Sequence, residues 1–206
     1  MGKRSDIVSY VRANIQGRIA SKIGERETGN VEVLLDFVEK AGEGNYLEIG
    51  TLFGGSAIPV ALLKNELLQR GLVFCVDPLD GYYRKYASRE DMMDLQSRTP
   101  VTVQTLFNNI AKFNVGNRIV VLREYSTSLA EFIDMKFAVS YIDGDHRGGV
   151  PLRDWNLIKN ITTKFVVFDN CADTHPDVHL ACKAANEEKN WRKVYHKDIT
   201  FVVERI

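Results

Sequence analysis

From residue 45 onward the chain alternates short apolar runs of strand length with longer stretches of helical periodicity, and this alternation limits the available folds more than any other feature. The runs are Tyr46-Leu47-Glu48-Ile49, Leu72-Val73-Phe74-Cys75-Val76, Ile119-Val120-Val121-Leu122, Phe137-Ala138-Val139-Ser140-Tyr141-Ile142 and Phe165-Val166-Val167-Phe168. Helix-like stretches fall near 58–69, 101–113, 129–133 and 150–161. Near-continuous apolar strands are buried on both faces, and regular strand–helix alternation builds them into one parallel sheet. A further helical stretch, 177–189, precedes two apolar pieces at 192–195 and 200–203, with Lys197-Asp198 placed to turn them. The prediction is an α/β fold: a doubly wound, mostly parallel sheet closed by a C-terminal antiparallel hairpin, with helices on both faces.

The N-terminal part reads differently. Ile7, Val8, Val11, Ile15, Ile19 and Ile23 recur mostly three or four residues apart, which predicts one amphipathic helix over 5–26. Val31, Leu34, Leu35 and Val38 form a second stripe, stopped by Gly42 and Gly44. With 206 residues, 45% of them hydrophobic, the chain supports one domain, 1–206, divided into an N-terminal arm, 1–28, and a core, 45–206. The arm's stripe needs either the sheet or a second subunit to cover it, so a homo-oligomer through this helix is one expectation.

Composition excludes more than it assigns. Lys plus Arg and Asp plus Glu both number 27, leaving no net positive field for nucleic acid or an anionic membrane. Cys75, Cys171 and Cys182 lack CxxC spacing, which suits reduced thiols, with Cys75 and Cys182 as small buried hydrophobes. Residues 1–10 hold no apolar run suited to a signal peptide or membrane span, so a cytoplasmic location is expected.

In an open parallel sheet, ligands gather beyond the carboxyl ends of the strands. After the first run stands Glu48-Ile49-Gly50-Thr51-Leu52-Phe53-Gly54-Gly55-Ser56, leading into a helix. Its glycines allow tight turning and close backbone approach, and the helix N-terminus offers free N–H groups. Leu52 stands where a dinucleotide fingerprint has its second glycine, which counts against a nicotinamide cofactor. Glu48 favours a ligand bearing an amino group over one bearing a pyrophosphate. The second run ends in Asp77, roughly 20 residues past the glycines, the spacing of a ribose-binding acid. Ser126, in Arg123-Glu124-Tyr125-Ser126, either lines a base pocket or caps a helix. The fourth and fifth runs end in Ile142-Asp143-Gly144-Asp145-His146 and Phe168-Asp169-Asn170. Adjacent strand ends thus present three carboxylates, an amide and an imidazole, a set suited to Mg²⁺ or another hard divalent ion. The alternative is that Asp143 and Asp169 merely cap the helices that follow.

These residues resemble those of class I S-adenosylmethionine-dependent methyltransferases, specifically the small metal-dependent group that includes sugar and macrolide O-methyltransferases and, more distantly, the catechol-type enzymes. The resemblance covers about residue 45 to the C-terminus and implies a Rossmann-like sheet. It implies S-adenosylmethionine held by Glu48, Gly50, Gly54, Gly55, Ser56, Asp77, Ser126 and Asp143, and Mg²⁺ or another divalent ion held by Asp143, Asp169 and Asn170. It places a general base at Asp145 or His146; the free pKa of imidazole better suits taking a hydroxyl proton near neutrality. The implied reaction is methyl transfer to a hydroxyl of a small-molecule acceptor, such as a sugar or natural product.

Two departures from the group stand out. Arg147-Gly148-Gly149 replaces a bulkier segment, and Asp169-Asn170 is an acid–amide pair where many members have two acids. The rival readings are a nicotinamide oxidoreductase, a noncatalytic cofactor-binding protein and a metal-independent methyltransferase. His175 is a candidate for the substrate mouth. The long connection 81–98, with Tyr82, Tyr83, Arg84 and Tyr86, is a candidate lid.

Overall fold

Each of the five apolar runs forms a strand: β1 (Asn45–Ile49), β2 (Val73–Val76), β3 (Ile119–Leu122), β4 (Phe137–Ile142) and β5 (Thr162–Phe168). The structure is a computed structural model, and it describes residues 2–19, 30–79, 93–94, 96–132 and 134–206. With β6 (Trp191–Lys197) and β7 (Thr200–Arg205) the sheet runs β3-β2-β1-β4-β5-β7-β6. β1 to β5 pair in parallel, whereas β7 lies antiparallel between β5 and β6. Asp198 supplies the turn before β7 with φ +53°. The strand order reverses between β1 and β4, where a crevice opens at the carboxyl edge.

Alternate residues of each strand feed two cores. Tyr46, Val73, Cys75, Val139 and Tyr141 pack with α1 (Gly2–Asn14), α2 (Asn30–Ala41), α3 (Ala57–Glu66) and α4 (Val103–Lys112). Leu47, Phe74, Val76, Ile142 and Phe168 pack on the other face with α5 (Val150–Ile158) and α6 (Pro176–Glu187). The stretch expected as a helix at 129–133 is instead a 3-10 helix, Ser126–Phe132. All three cysteines are buried free thiols. Among the described residues no helix is long and apolar enough to cross a membrane.

The N-terminal helix is shorter than its isoleucine spacing predicts. α1 stops at Asn14, and the next residues leave the helix because tertiary partners claim their backbone. The Gln16 N–H donates to Asn109 Oδ1 and the Gln16 carbonyl accepts from Asn109 Nδ2 (2.9 and 2.8 Å). Gly17, at φ +108°, lies flat on the Phe53 ring, where a Cβ would sit 2.5 Å from ring carbons. Ile15 and Ile19 therefore pack in a non-helical strap, while Val8 and Val11 are buried against the chain's own helices. Ile23 and the tyrosine-rich part of the candidate lid, including Tyr82, Tyr83, Arg84 and Tyr86, lie outside the described residues.

Candidate functional site

Strand register builds the site. Ile49 lies beside Val76 and Ile142, Val76 beside Leu122, and Ile142 beside Phe168, so the residues that follow form one row. The ladder continues one step into that row. The N–H groups of Gly50, Asp77, Asp143 and Asp169 donate to Val76, Leu122, Ile49 and Ile142 carbonyls at 2.9–3.2 Å. A Cβ added to Gly50, at φ +88°, would lie 2.1 Å from the Asp143 carbonyl oxygen. Glycine is the residue that lets the ends of β1 and β4 meet this closely.

Asp77 ties down the glycine loop. Its Oδ2 accepts from the N–H groups of Thr51 and Leu52 (2.8 and 2.9 Å), and its Oδ1 accepts from Leu79 N–H (2.8 Å). Gly54, at φ +83°, lets α3 and α4 close on the loop, and buried Ser56 precedes α3 without capping it through its side chain. Gly55 is buried beside them.

Glu48 is fully buried, and Tyr46 Oη donates to its Oε2 at 2.8 Å. Burial pushes its carboxyl up to about 8; the Tyr46 hydroxyl pulls it down, while Asp143 adds to the rise. Asp143 is pushed up to about 7, again chiefly by burial, with Asp169 and Arg18 opposing. Asp169 is raised by burial and then by the neighbouring Asp143 carboxyl. Two neighbouring carboxyls, one buried at Asp169 and one partly buried at Asp143, hold a proton between them or gather a cation. Asn30 Nδ2 and Asn170 Nδ2 donate to the two oxygens of Asp169 (2.7 and 2.9 Å). Asn170 itself adopts φ +58°, turning its amide back over the strand end.

His146 Nε2 lies 3.5 Å from Asp143 Oδ1, beyond hydrogen-bond reach, and burial lowers its pKa below the usual imidazole value. Its ring meets the His175 ring edge-on at 5.2 Å, so His175 does stand at the mouth. Asp145 is exposed and paired with Arg147 (3.0 Å). The structure thus separates the two base candidates: His146 turns into the site and Asp145 outward. Ser126 neither caps a helix nor faces open space; its Oγ donates to Asp154 Oδ1 at 2.6 Å.

Among the described residues, Glu48 Oε1, Thr51 Oγ1, Tyr141 Oη, His146 Nε2 and Asp154 Oδ2 are buried at this edge without a hydrogen-bond partner. Such a concentration is what a ligand's polar groups satisfy. Of the expected metal trio, Asp143 follows β4 and Asp169-Asn170 follow the adjacent β5, but the described residues contain no group of three His, Cys, Asp or Glu side chains disposed to hold an ion.

Three residues escape sequence reading. Asn30 is the second residue of a Gly-Asn pair that looks like a loop. Arg18 hides in a stripe read as helical. Asp154 carried a usable signal, because it shares a buried face with Pro151, Trp155 and Ile158, where an acid is out of place unless partnered.

No family model matches the chain, and no curated protein matches it. Solved structures do. An O-methyltransferase from Bacillus cereus in complex with S-adenosylhomocysteine is 16% identical, with TM-score 0.65, covering 100% of this chain and 91% of that one. A putative caffeoyl-CoA O-methyltransferase from Staphylococcus aureus is 10% identical, with TM-score 0.64 and coverages of 100% and 92%. The O-methyltransferase of Streptomyces achromogenes involved in tomaymycin synthesis, in complex with S-adenosylmethionine, is 12% identical, with TM-score 0.62 and coverages of 100% and 90%. At such identities the likeness establishes architecture, and this chain has the Rossmann-like fold of class I S-adenosylmethionine-dependent O-methyltransferases.

Proposed function

We propose that this protein transfers the methyl group of S-adenosylmethionine to a hydroxyl of a small-molecule acceptor, with a divalent cation beside the cofactor. The observation that carries the reading is Glu48: a fully buried carboxyl at the end of β1, beside Gly50, with Oε1 unpartnered. An ammonium group is the ligand that such a carboxyl accepts, and forming that pair favours its ionised state. A dinucleotide suits the site poorly. The loop N–H groups of Thr51 and Leu52, which a pyrophosphate would need, already donate to Asp77.

The bound cofactor supplies an activated methyl group on a sulfonium, so the protein's part is positioning and proton removal. Glu48 anchors the amino end, and Asp77 Oδ1, which accepts one hydrogen bond, keeps a lone pair for a ribose hydroxyl. His146 Nε2, buried and turned toward Asp143, receives the acceptor's hydroxyl proton. Asp143, Asp169 and the Asn170 amide oxygen would hold the cation, which lowers the hydroxyl's pKa. The raised pKa values of the two facing aspartates fit that donor set, because a cation relieves the repulsion that otherwise retains a proton between them.

Calorimetric titration with S-adenosylmethionine and, separately, NAD, each with and without Mg²⁺, tests this. S-adenosylmethionine alone should bind. NAD binding, or binding of neither, refutes the assignment of the glycine loop.

A further inference from the structure

Glu48 lies at the end of β1 and Asp77 follows β2, the next strand in the sheet. A nucleoside whose amino end meets the first and whose ribose meets the second lies across the two strands, with its base directed toward β3. The segment beyond β3 is the 3-10 helix Ser126–Phe132, which packs on α5. Asp154 of α5 stands in that seam, fully buried.

Only half of this carboxyl is used. Ser126 Oγ donates to Oδ1 at 2.6 Å, while Oδ2 is buried with no hydrogen-bond partner among the described residues. Oδ2 also reaches the row of strand ends. A Cβ on Gly144, next to Asp143, would stand 3.6 Å from it and 3.2 Å from Ile49 Cγ2, so glycine brings backbone and no side chain against that oxygen. A buried acceptor left unpaired costs free energy until a donor reaches it. Burial raises the Asp154 carboxyl to about 6 and the Ser126 hydrogen bond opposes the rise, so a second donor would favour the ionised form, which only accepts.

The donor that a nucleoside offers beyond its ribose is on the base. Resting on the cofactor reading above, we propose that Asp154, aimed by Ser126, accepts a hydrogen bond through Oδ2 from the exocyclic amine of the cofactor's adenine, and so selects a 6-aminopurine over a 6-oxopurine. An amine donates and a keto oxygen accepts at the same position, so a carboxylate attracts the first and repels the second. Ser126 then acts as a positioning residue: its hydroxyl occupies one oxygen and leaves the other for the base.

The test compares two ligands by calorimetry, S-adenosylhomocysteine and S-inosylhomocysteine, which differ in the 6-position of the purine and share the ribose and amino acid. The wild-type protein should prefer the adenosyl compound by about 10- to 100-fold. In Asp154→Asn the amide oxygen can still accept from Ser126, which places the amide nitrogen, a donor, where Oδ2 was; the preference should vanish or reverse. Ser126→Ala should narrow the preference without reversing it. Equal weakening of both ligands in Asp154→Asn would assign the Ser126–Asp154 pair to holding the 3-10 helix on α5 and overturn the proposal. An unchanged preference in the two variants would overturn it as well. So would a wild-type protein indifferent to the base, a comparison that needs no variant to fold. Failure of the wild-type protein to bind either compound would instead remove the cofactor reading, and this proposal with it.

Discussion

Replacing Glu48 by Gln should make the protein more stable at alkaline pH and worse at holding its cofactor. The sign follows from linkage. Burial raises the Glu48 carboxyl from its ordinary 4.5 to about 8, so between these values the folded state keeps a proton that the unfolded chain releases. The stability this residue permits is fully present below 4.5 and is lost as pH rises toward about 8. At about 1.4 kcal/mol per pKa unit, integrating from about pH 5.5 to about pH 8.5 gives a loss of about 3 kcal/mol. Gln has the same shape, can still accept from Tyr46 Oη, and cannot ionise. Urea unfolding of both proteins at the two pH values reads the effect as the difference between their stability losses. The wild type should lose about 3 kcal/mol more than Glu48→Gln across this interval. The variant should meanwhile bind S-adenosylmethionine about 10- to 100-fold more weakly, having lost a charged partner for the amine. Parallel stability–pH curves, or unchanged affinity, would refute the account of Glu48 as a buried neutral acid that ionises for its ligand.

Other perturbations test neighbouring parts of the site. Gly50→Ala places a methyl 2.1 Å from the Asp143 carbonyl oxygen at φ +88°; strain and overpacking together should cost about 2–4 kcal/mol in urea unfolding, and a cost under about 0.5 kcal/mol would contradict the contact. His146→Gln should lower kcat by about 10²- to 10⁴-fold, whereas Asp145→Asn, on an exposed carboxyl paired with Arg147, should change it little. Because the neutral imidazole is the working form and burial lowers its pKa from 6.5, kcat should rise with pH through a value below 6.5; an acid limb above it would reassign the base. Asp143, implied by the resemblance in both cofactor and metal binding, is assigned to the cation alone if Asp143→Ala abolishes metal-dependent turnover with cofactor affinity nearly intact; equal loss of both would show that the two roles are not separate.

The sheet was legible because its central strands are buried on both faces and so appear as unbroken apolar runs, bounded by glycine and aspartate. β3 and β4 have the bounds that their sequence predicts, and the acids after β2, β4 and β5 fall into line because parallel register keeps the strand ends level. The arm was not legible in the same way. Its isoleucines keep helical spacing through Ile19, yet the backbone beyond Asn14 bonds to an asparagine of α4, about 93 residues away in the chain. Periodicity reports which side of a segment is apolar; it does not report which distant polar group will outcompete the helix. Arg18 owes its place to that long-range competition and Asn30 to its own bond with Asp169, and neither lies in a motif.

Asp77 shows how a sequence rule can find a residue and misjudge its occupation. Spacing marks it as a ribose acid, and the residue does end the strand next to the glycine loop. A carboxylate oxygen has room for about two hydrogen bonds, and Asp77 Oδ2 already accepts from Thr51 and Leu52. What remains is the second position on Oδ1, whose first is taken by Leu79. Any ribose contact is therefore single, and the residue's first duty is to hold the loop in a shape that spends its N–H groups internally.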